Sequence, residues 1–357
     1  MKQVIFLCIS LLAFSQNLFA DQVKVGISVP LTGNASEYGN AAKNGFILAQ
    51  EQKPELQRFD YIFDDNVYQA VKSLDSYRRL RAIDGLNILY VWGEPGFNSI
   101  APVAEAEKFP FFCMSTDRGP GVGKKYAIRV SGDSYQLASK LIQFLEIKKA
   151  DSIDLLMADD PFFEAGRLAL REVAKPDLKI NTIATVPTDS MDFRSLILRL
   201  RSSKPRFIGV FLMAGQVRTF FTQASSLGLN SQFIGTDVFE STEEIRESGS
   251  LINGSIYVNF YVPKEFYISY TERFGNDSQI SHAYMAYALA LSLPTLAPQN
   301  VRISPESVLE NVTKLDWKST GEVFAYKDSA AEGKHFEFPV VLREVKDGTV
   351  FDVPSVK

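Results

Sequence analysis

The sequence predicts an α/β protein made of two doubly wound, parallel-sheet lobes in succession, and three observations carry that expectation. Short apolar runs alternate with longer stretches of helical period along almost the whole chain, the pattern of a parallel sheet with helices on both faces. The rhythm completes once and restarts after Arg129-Val130-Ser131-Gly132-Asp133. No Gly/Ser-rich or Pro-rich linker separates the halves, so short crossovers should join them. A length of 357 residues suits two domains of ordinary size.

In order, Val23 to Val29 reads as a strand, followed by a helix from Tyr38 to Gln52 with Ala41, Ala42, Gly45, Phe46, Leu48 and Ala49 on its apolar face. Tyr61 to Phe63 is the next strand, and Gln69 to Ile83 a helix with Val71, Leu74, Leu80 and Ile83 on or near one face. Ile88 to Trp92 is a strand, Ala101 to Glu107 a helix, Phe111 to Met114 a strand. The second half repeats the pattern: helix Tyr135 to Leu145, strand Ile153 to Met157, helix Glu164 to Val173, strand Ile180 to Val186 and helix Phe193 to Arg201. Strand Phe207 to Leu212, helix Val217 to Leu227 and strand Phe233 to Gly235 complete it. Beyond Tyr257 come helices Phe266 to Phe274 and Ala283 to Leu293, then extended runs Val323 to Tyr326 and Phe336 to Val345.

Composition narrows the function. Hydrophobic residues are 46% and charged residues 22%, a globular balance. A net charge of −4 offers no basic face to nucleic acid or an anionic membrane. Lys2, the apolar run Val4 to Phe14 and Asn17-Leu18-Phe19-Ala20 have the order of a secretory signal, so residues 1–20 are expected to be cut off after Ala20. That run is shorter than the roughly 20 residues a spanning helix needs. Cys8 falls inside the signal, and the remaining Cys113 has no internal disulfide partner.

Catalysis has little to work with. The chain holds only His282 and His335, in unrelated contexts, and lacks a G-x-S-x-G elbow, an H-E-x-x-H helix or paired metal-binding cysteines. Gly119 to Lys124 falls one residue short of phosphate-loop spacing and has no Ser or Thr after the Lys, so it reads as a hairpin-like loop. In doubly wound sheets ligands sit beyond the carboxyl ends of the strands. The loops to watch are therefore Pro30 to Gly39, Gly93 to Ser99, Ser115 to Gly119, Ala158 to Phe163, Met213 to Gln216 and Thr236 to Glu240.

The stretch V-K-V-G-I-S-V-P-L-T-G-N-A-S-E-Y-G-N-A-A-K-N-G-F, Val23 to Phe46, resembles the opening of branched-chain amino-acid (leucine/isoleucine/valine) solute-binding proteins, the type I periplasmic binding proteins of ABC transporters. Y-I-F-D-D-N (Tyr61 to Asn66), I-A-P-V-A-E (Ile100 to Glu105) and D-F-R-S-L-I-L-R-L-R (Asp192 to Arg201) agree in order and spacing. So do Q-A-S-S-L-G-L-N-S-Q-F-I-G-T-D (Gln223 to Asp237) and H-A-Y-M-A-Y-A-L-A (His282 to Ala290). The resemblance covers nearly all of the chain after Ala20. It implies a Venus-flytrap fold with a three-strand hinge, crossing near Ser131, Tyr261 and Phe336. The N-terminal lobe would be 21–131 plus 262–336, and the C-terminal lobe 132–261 plus 337–357. It further implies a periplasmic monomer without cofactor, metal or nucleic acid. Such a protein captures a small polar solute, an amino acid or related amine, amide or acid, and delivers it to membrane permease subunits. A ligand sensor or co-receptor of the same fold is the alternative, and an interaction module with a blocked cleft a third.

Residue by residue, the resemblance assigns the ligand's polar head to backbone N–H groups and hydroxyls of Phe97, Asn98 and Ser99, and of Ser115, Thr116 and Asp117. Helix caps are the alternative for Asn98 and Ser99. The sequence departs from the family at both loops: a serine-rich run is replaced by Gly96-Phe97-Asn98-Ser99, and Asp117 would repel a ligand carboxylate unless Arg118 neutralises it. Tyr38 and Phe162 match aromatic walls, with Trp92 as a further candidate and core packing as the alternative. Asp237 matches the carboxylate that takes a ligand ammonium, or else caps a helix. Glu94, Asp117 and Asp237 around one cleft imply a ligand rich in N–H donors or carrying positive charge.

Overall fold

The computed structural model describes residues 22–83, 85–315 and 324–353; the expected signal, residues 1–20, lies outside them, as does Val323. In the first half, β1 (Val23–Val29), α1 (Ser36–Gln52), β2 (Phe59–Asp65), α2 (Ala70–Arg81), β3 (Leu86–Trp92), α3 (Glu94–Glu107), β4 (Phe111–Met114) and β5 (Ala127–Arg129) alternate. The second half runs α4 (Ser134–Ile147), β6 (Ser152–Ala158), α5 (Pro161–Val173), β7 (Lys179–Val186), α6 (Arg194–Ser203), β8 (Phe207–Phe211), α7 (Gln216–Ser226) and β9 (Gln232–Gly235). After a 3-10 turn at Asp237–Glu240 come α8 (Thr242–Ser248) and β10 (Ile256–Phe260). Then follow α9 (Lys264–Phe274), α10 (Ile280–Leu296), α11 (Pro305–Val312), β11 (Ala325–Ser329), β12 (Gly333–Glu337), β13 (Val340–Lys346) and β14 (Thr349–Asp352).

These strands form two 7-stranded sheets, ordered β11-β12-β5-β4-β3-β1-β2 and β14-β13-β10-β9-β8-β6-β7. Pairing is parallel from β2 through β12 in the first and from β7 through β10 in the second. Each sheet ends in antiparallel pairs, so both are mixed and not wholly parallel as the rhythm alone predicts. Helices cover both faces, which is why β3 and β8 read as unbroken apolar runs and not as alternating ones. In each sheet the strand order turns around its first strand, β1 or β6. The crevice opens beyond the carboxyl ends there.

The chain passes between the sheets three times, at 130–133, at 261–263 and at Phe338-Pro339. The expected single run Phe336 to Val345 is thus two strands in different sheets. Pro339 has no N–H for a ladder, and its carbonyl instead accepts the Tyr261 N–H at 2.8 Å, tying two crossings together. At the first crossing Asp133 caps α4 in a capping box with Gln136, whose Nε2 donates to Glu337 Oε1 at 3.3 Å.

The largest departure from expectation is α3, which begins at Glu94 and not at Ala101. Pro95 sits in its first turn, where no N–H is needed. Pro102 lies inside the helix, and the carbonyl it leaves unpaired belongs to the exposed Asn98, open to water. The Gly119 to Lys124 segment opens with a 3-10 turn at Gly119–Gly121 in place of a hairpin. No helix among the described residues is long and apolar enough to cross a membrane.

The Asn44-Gly45 pair in the opening motif has a packing reason. A Cβ on Gly45 would lie 2.1 Å from the Ala283 carbonyl oxygen, so α1 and α10 touch backbone to backbone. Gly45→Ala is expected to destabilise the protein by about 1–3 kcal/mol, seen as a lower urea midpoint at unchanged slope. An unchanged midpoint would mean that the two helices separate at no cost.

Candidate functional site

Where the carboxyl ends of the two sheets meet, the loops build a site from both sides. On the first side, Asn66 is fully buried and its Nδ2 donates to the Ser28 and Trp92 carbonyls at 3.2 and 3.3 Å. Its Oδ1 accepts the Tyr68 N–H at 3.0 Å, while Asp65 Oδ1 accepts the Val67 N–H at 3.0 Å. Those bonds hold Val67 and Tyr68 at φ of 52° and 56°, a left-handed conformation that a β-branched residue resists. The result points the Tyr68 ring across Gly93, where a Cβ would meet it at 2.7 Å. Gly93 itself has a φ of 102°, and this turn starts α3 early.

With α3 starting there, Glu94 takes the position beside the β4 loop. Its Oε1 accepts the Thr116 N–H at 2.8 Å, the Thr116 hydroxyl at 3.2 Å and the Ser115 hydroxyl at 3.5 Å. From α10, capped by the buried Gln279 at a left-handed φ of 54°, comes His282. The indole N–H of Trp92 donates to His282 Nδ1 at 3.1 Å. Because that indole can only donate, Nδ1 is the acceptor and Nε2 carries the hydrogen. His282 Nε2 then donates to Asp237 Oδ2, 2.8 Å away on the other side of the cleft.

Asp160 caps α5 through the Phe162 N–H at 2.9 Å and accepts the Tyr68 hydroxyl at 3.1 Å, a second contact across the cleft. Gln279 Nε2 adds a third, to the Asp237 carbonyl at 3.2 Å. Between these contacts lie two adjoining cavities of about 50 and about 40 Å³ that share Met114, Phe162, Phe163, Asp237 and His282. The larger is walled by Leu137, Leu141, Leu170, Phe211 and Phe260. The smaller is walled by the rings of Tyr38, Tyr68 and Trp92 with the carboxylates of Glu94, Asp160 and Asp237.

Charge in this pocket is costly. Burial pushes the Glu94 carboxyl up to about 7 despite its hydrogen bonds from Thr116, and the neighbouring Asp160 adds to the rise. Burial likewise raises Asp160 above the usual carboxylate range, against its bonds from Phe162 and Tyr68. The Tyr68 and Tyr38 hydroxyls are pushed well up by the same desolvation, then by nearby carboxylates. No Lys or Arg is among the residues lining either cavity.

Of the residues singled out in the sequence, Tyr38, Thr116, Phe162 and Asp237 line the cavities, joined by Trp92 and Glu94. Ser115 is buried behind Glu94. Phe97, Asn98 and Ser99 are not brought there, because the early start of α3 moves them into its body. Phe97 packs against Phe111 in the core, Asn98 faces solvent, and the Ser99 hydroxyl donates to the Gly96 carbonyl at 3.2 Å. Asp117 closes its own turn by accepting the Gly119 N–H at 2.9 Å, and Arg118 pairs with Glu172 and Glu332 while lying 3.4 Å over the Tyr135 ring. Tyr68, Asp160, Phe163 and His282 were not singled out. A lone His at the head of the otherwise apolar α10, and an Asp before Pro161, were the available signals.

The sequence model of the periplasmic binding protein family matches residues 22–349. The chain belongs to that family. No curated protein matches this periplasmic binding protein in sequence. Among solved structures it is similar to a leucine-binding protein from Thermotoga maritima, at 19% identity and a TM-score of 0.80 over 93% of this chain and 97% of that one. It is also similar to a branched-chain amino acid ABC transporter protein from Thermus thermophilus with bound valine, at 17% identity and TM-score 0.77, covering 93% and 95%. A third is a solute-binding protein from Rhodopseudomonas palustris in complex with 3,4-dihydroxybenzoic acid, at 19% identity and TM-score 0.75, covering 94% and 96%. At these identities the likeness establishes the two-lobed fold.

Proposed function

We propose that this periplasmic binding protein is exported through its N-terminal signal, captures one small organic solute between its lobes in the periplasm, and delivers it to the permease of an ABC transporter. The observation that carries the reading is the pair of cavities at the strand ends, sealed by Tyr68 to Asp160 and His282 to Asp237 across the cleft. A ligand touching both sides favours the closed arrangement by its differential affinity. The rigid units in that closure are 21–131 with 262–336, and 132–261 with 337–357, turning about the three crossings. Tyr38, Thr116, Phe162 and Asp237, with Trp92, Tyr68 and His282, are the contacts. The valine-bound and dihydroxybenzoate-bound relatives support capture of a small organic molecule in this fold.

The test is native mass spectrometry of the protein purified from its own periplasm, followed by scattering and thermal unfolding. A bound small molecule should appear, and its removal and return should expand and contract the particle. At 100 times its dissociation constant it should stabilise by about 2.7 kcal/mol. A protein that carries no solute, and whose dimensions no periplasmic extract changes, would sink the capture reading.

A further inference from the structure

We infer that the solute is a cationic amine with an apolar body and no carboxylate, its positive charge set against Glu94 among the rings of Tyr38, Tyr68 and Trp92. This rests on the capture reading and specifies its ligand. The resemblance assigns the Thr116 N–H and the Ser115 and Thr116 hydroxyls to a ligand's anionic head. Here the protein's own carboxylate already occupies those donors, with Glu94 Oε1 at 2.8 Å from the Thr116 nitrogen. An incoming carboxylate finds that main-chain donor taken, a like charge beside it, and no Lys or Arg lining either cavity.

A cation finds the opposite. Glu94 is 3% exposed and lines the smaller cavity, and its Oε2 accepts a hydrogen bond from no other described residue. Asp160 takes the Tyr68 and Phe162 donors on Oδ1 and Asp237 takes His282 on Oδ2, so each of these acids likewise keeps one oxygen that accepts from no described residue. Glu94 Oε2 is therefore an open acceptor on the wall of the smaller cavity, with Asp160 Oδ2 and Asp237 Oδ1 beside it. The Trp92 ring lies 5.1 Å from that of Tyr38 and 5.4 Å from that of Tyr68, and ring faces attract a desolvated cation. Among the described residues no group of three or more His, Cys, Asp or Glu side chains is placed to hold a metal ion. The smaller cavity has room for an ammonium head, and the adjoining one, walled by Leu141, Leu170 and Phe211, for an apolar tail.

Glu94 also gives this ligand a pH signature. Burial holds its carboxyl at about 7, while a cation favours the ionised form, so binding below that pH must expel a proton. Asp160, Asp237, Tyr68, Tyr38 and His282 face Glu94 across the cavity, and Cys113 lies behind it. Amine affinity should therefore rise as pH increases towards about 7, by up to about tenfold per unit, and level off above it.

The experiment is calorimetric titration of the solute-free full chain with matched probes: isoamylamine and phenethylamine, the alcohols isoamyl alcohol and phenethyl alcohol, and the acids isovalerate, benzoate and leucine. At about pH 8 the amines should bind at least about tenfold more tightly than the alcohols, and the acids should give no heat. Glu94→Gln should weaken amine binding by about tenfold or more and abolish its rise between about pH 6 and pH 8. A thermal unfolding scan of the unliganded variant confirms that it folds. Acids or alcohols binding as tightly as the amines, no binding by any amine, or Glu94→Gln without effect would each overturn the inference. Capture itself survives the first result and is judged separately by the co-purifying solute.

Discussion

Asp133→Ala is expected to cost about 3–5 kcal/mol of folding stability, the largest loss from any single substitution at the crossings. Arg129 is fully buried at the end of β5, and its guanidinium finds only sparse company. Nη1 donates to the Gly132 carbonyl at 3.3 Å, Nη2 to the Glu332 carbonyl at 3.2 Å, and Nε has no acceptor. Desolvation disfavours that charge, and the Asp133 carboxylate, 3.9 Å away, offsets it most. The same carboxylate accepts the Tyr135 and Gln136 N–H groups at 3.0 Å and so starts α4. Alanine removes the counter-charge and the cap together, the cap alone being worth about 1 kcal/mol. Asp133→Asn separates the two, because asparagine caps a helix equally well without the charge. Urea unfolding should show the alanine variant far below wild type and the asparagine variant lower by the charge share alone. If both variants unfold at the wild-type midpoint, Arg129 is not held by this carboxylate and the first crossing owes its order to something else.

What could be read from the sequence divides along a physical line. Strands such as β3 and β8 were legible because a sheet covered on both faces demands continuous apolar runs, and the repeated rhythm then fixed two sheets. Tyr38, Phe162 and Asp237, which the resemblance assigns to the ligand, lie in loops beyond the carboxyl ends of parallel strands and line the cavities there. The start of α3 was not. Both Pro95 and Pro102 suit a first turn, and the choice between them rests on Gly93 reaching a φ of 102°. That one turn decides whether Phe97, Asn98 and Ser99 or Glu94 faces the β4 loop. Nor were the cross-cleft partners legible. Tyr68 and Asp160 are 92 residues apart and His282 and Asp237 45, and each pair meets only when the lobes do. Short strands such as β5, three residues long, carry too little pattern to be seen.

His282→Leu is expected to shift the equilibrium between closed and open protein towards open by about 30-fold or more. In the closed arrangement His282 satisfies two buried groups at once, accepting from Trp92 and donating to Asp237. Leucine fills similar space but leaves an indole N–H and a carboxylate that is 8% exposed without their partner. Leaving a buried polar group without its partner costs about 1–3 kcal/mol, and more for a carboxylate, and about 2 kcal/mol corresponds to 30-fold. The penalty falls on the closed state, since opening the cleft lets water reach Asp237. It should therefore appear in the closure equilibrium, with the fold keeping its thermal stability. Tyr68→Phe is the calibrating variant: it removes another of the side-chain hydrogen bonds across the cleft and should cost only about 0.5–1.5 kcal/mol. Small-angle scattering of the three proteins at one sub-saturating concentration of the co-purifying solute reads the result directly. The leucine variant should show the largest radius of gyration, the phenylalanine variant an intermediate one and wild type the smallest. Identical radii for all three would show that the lobes are held together by neither bond.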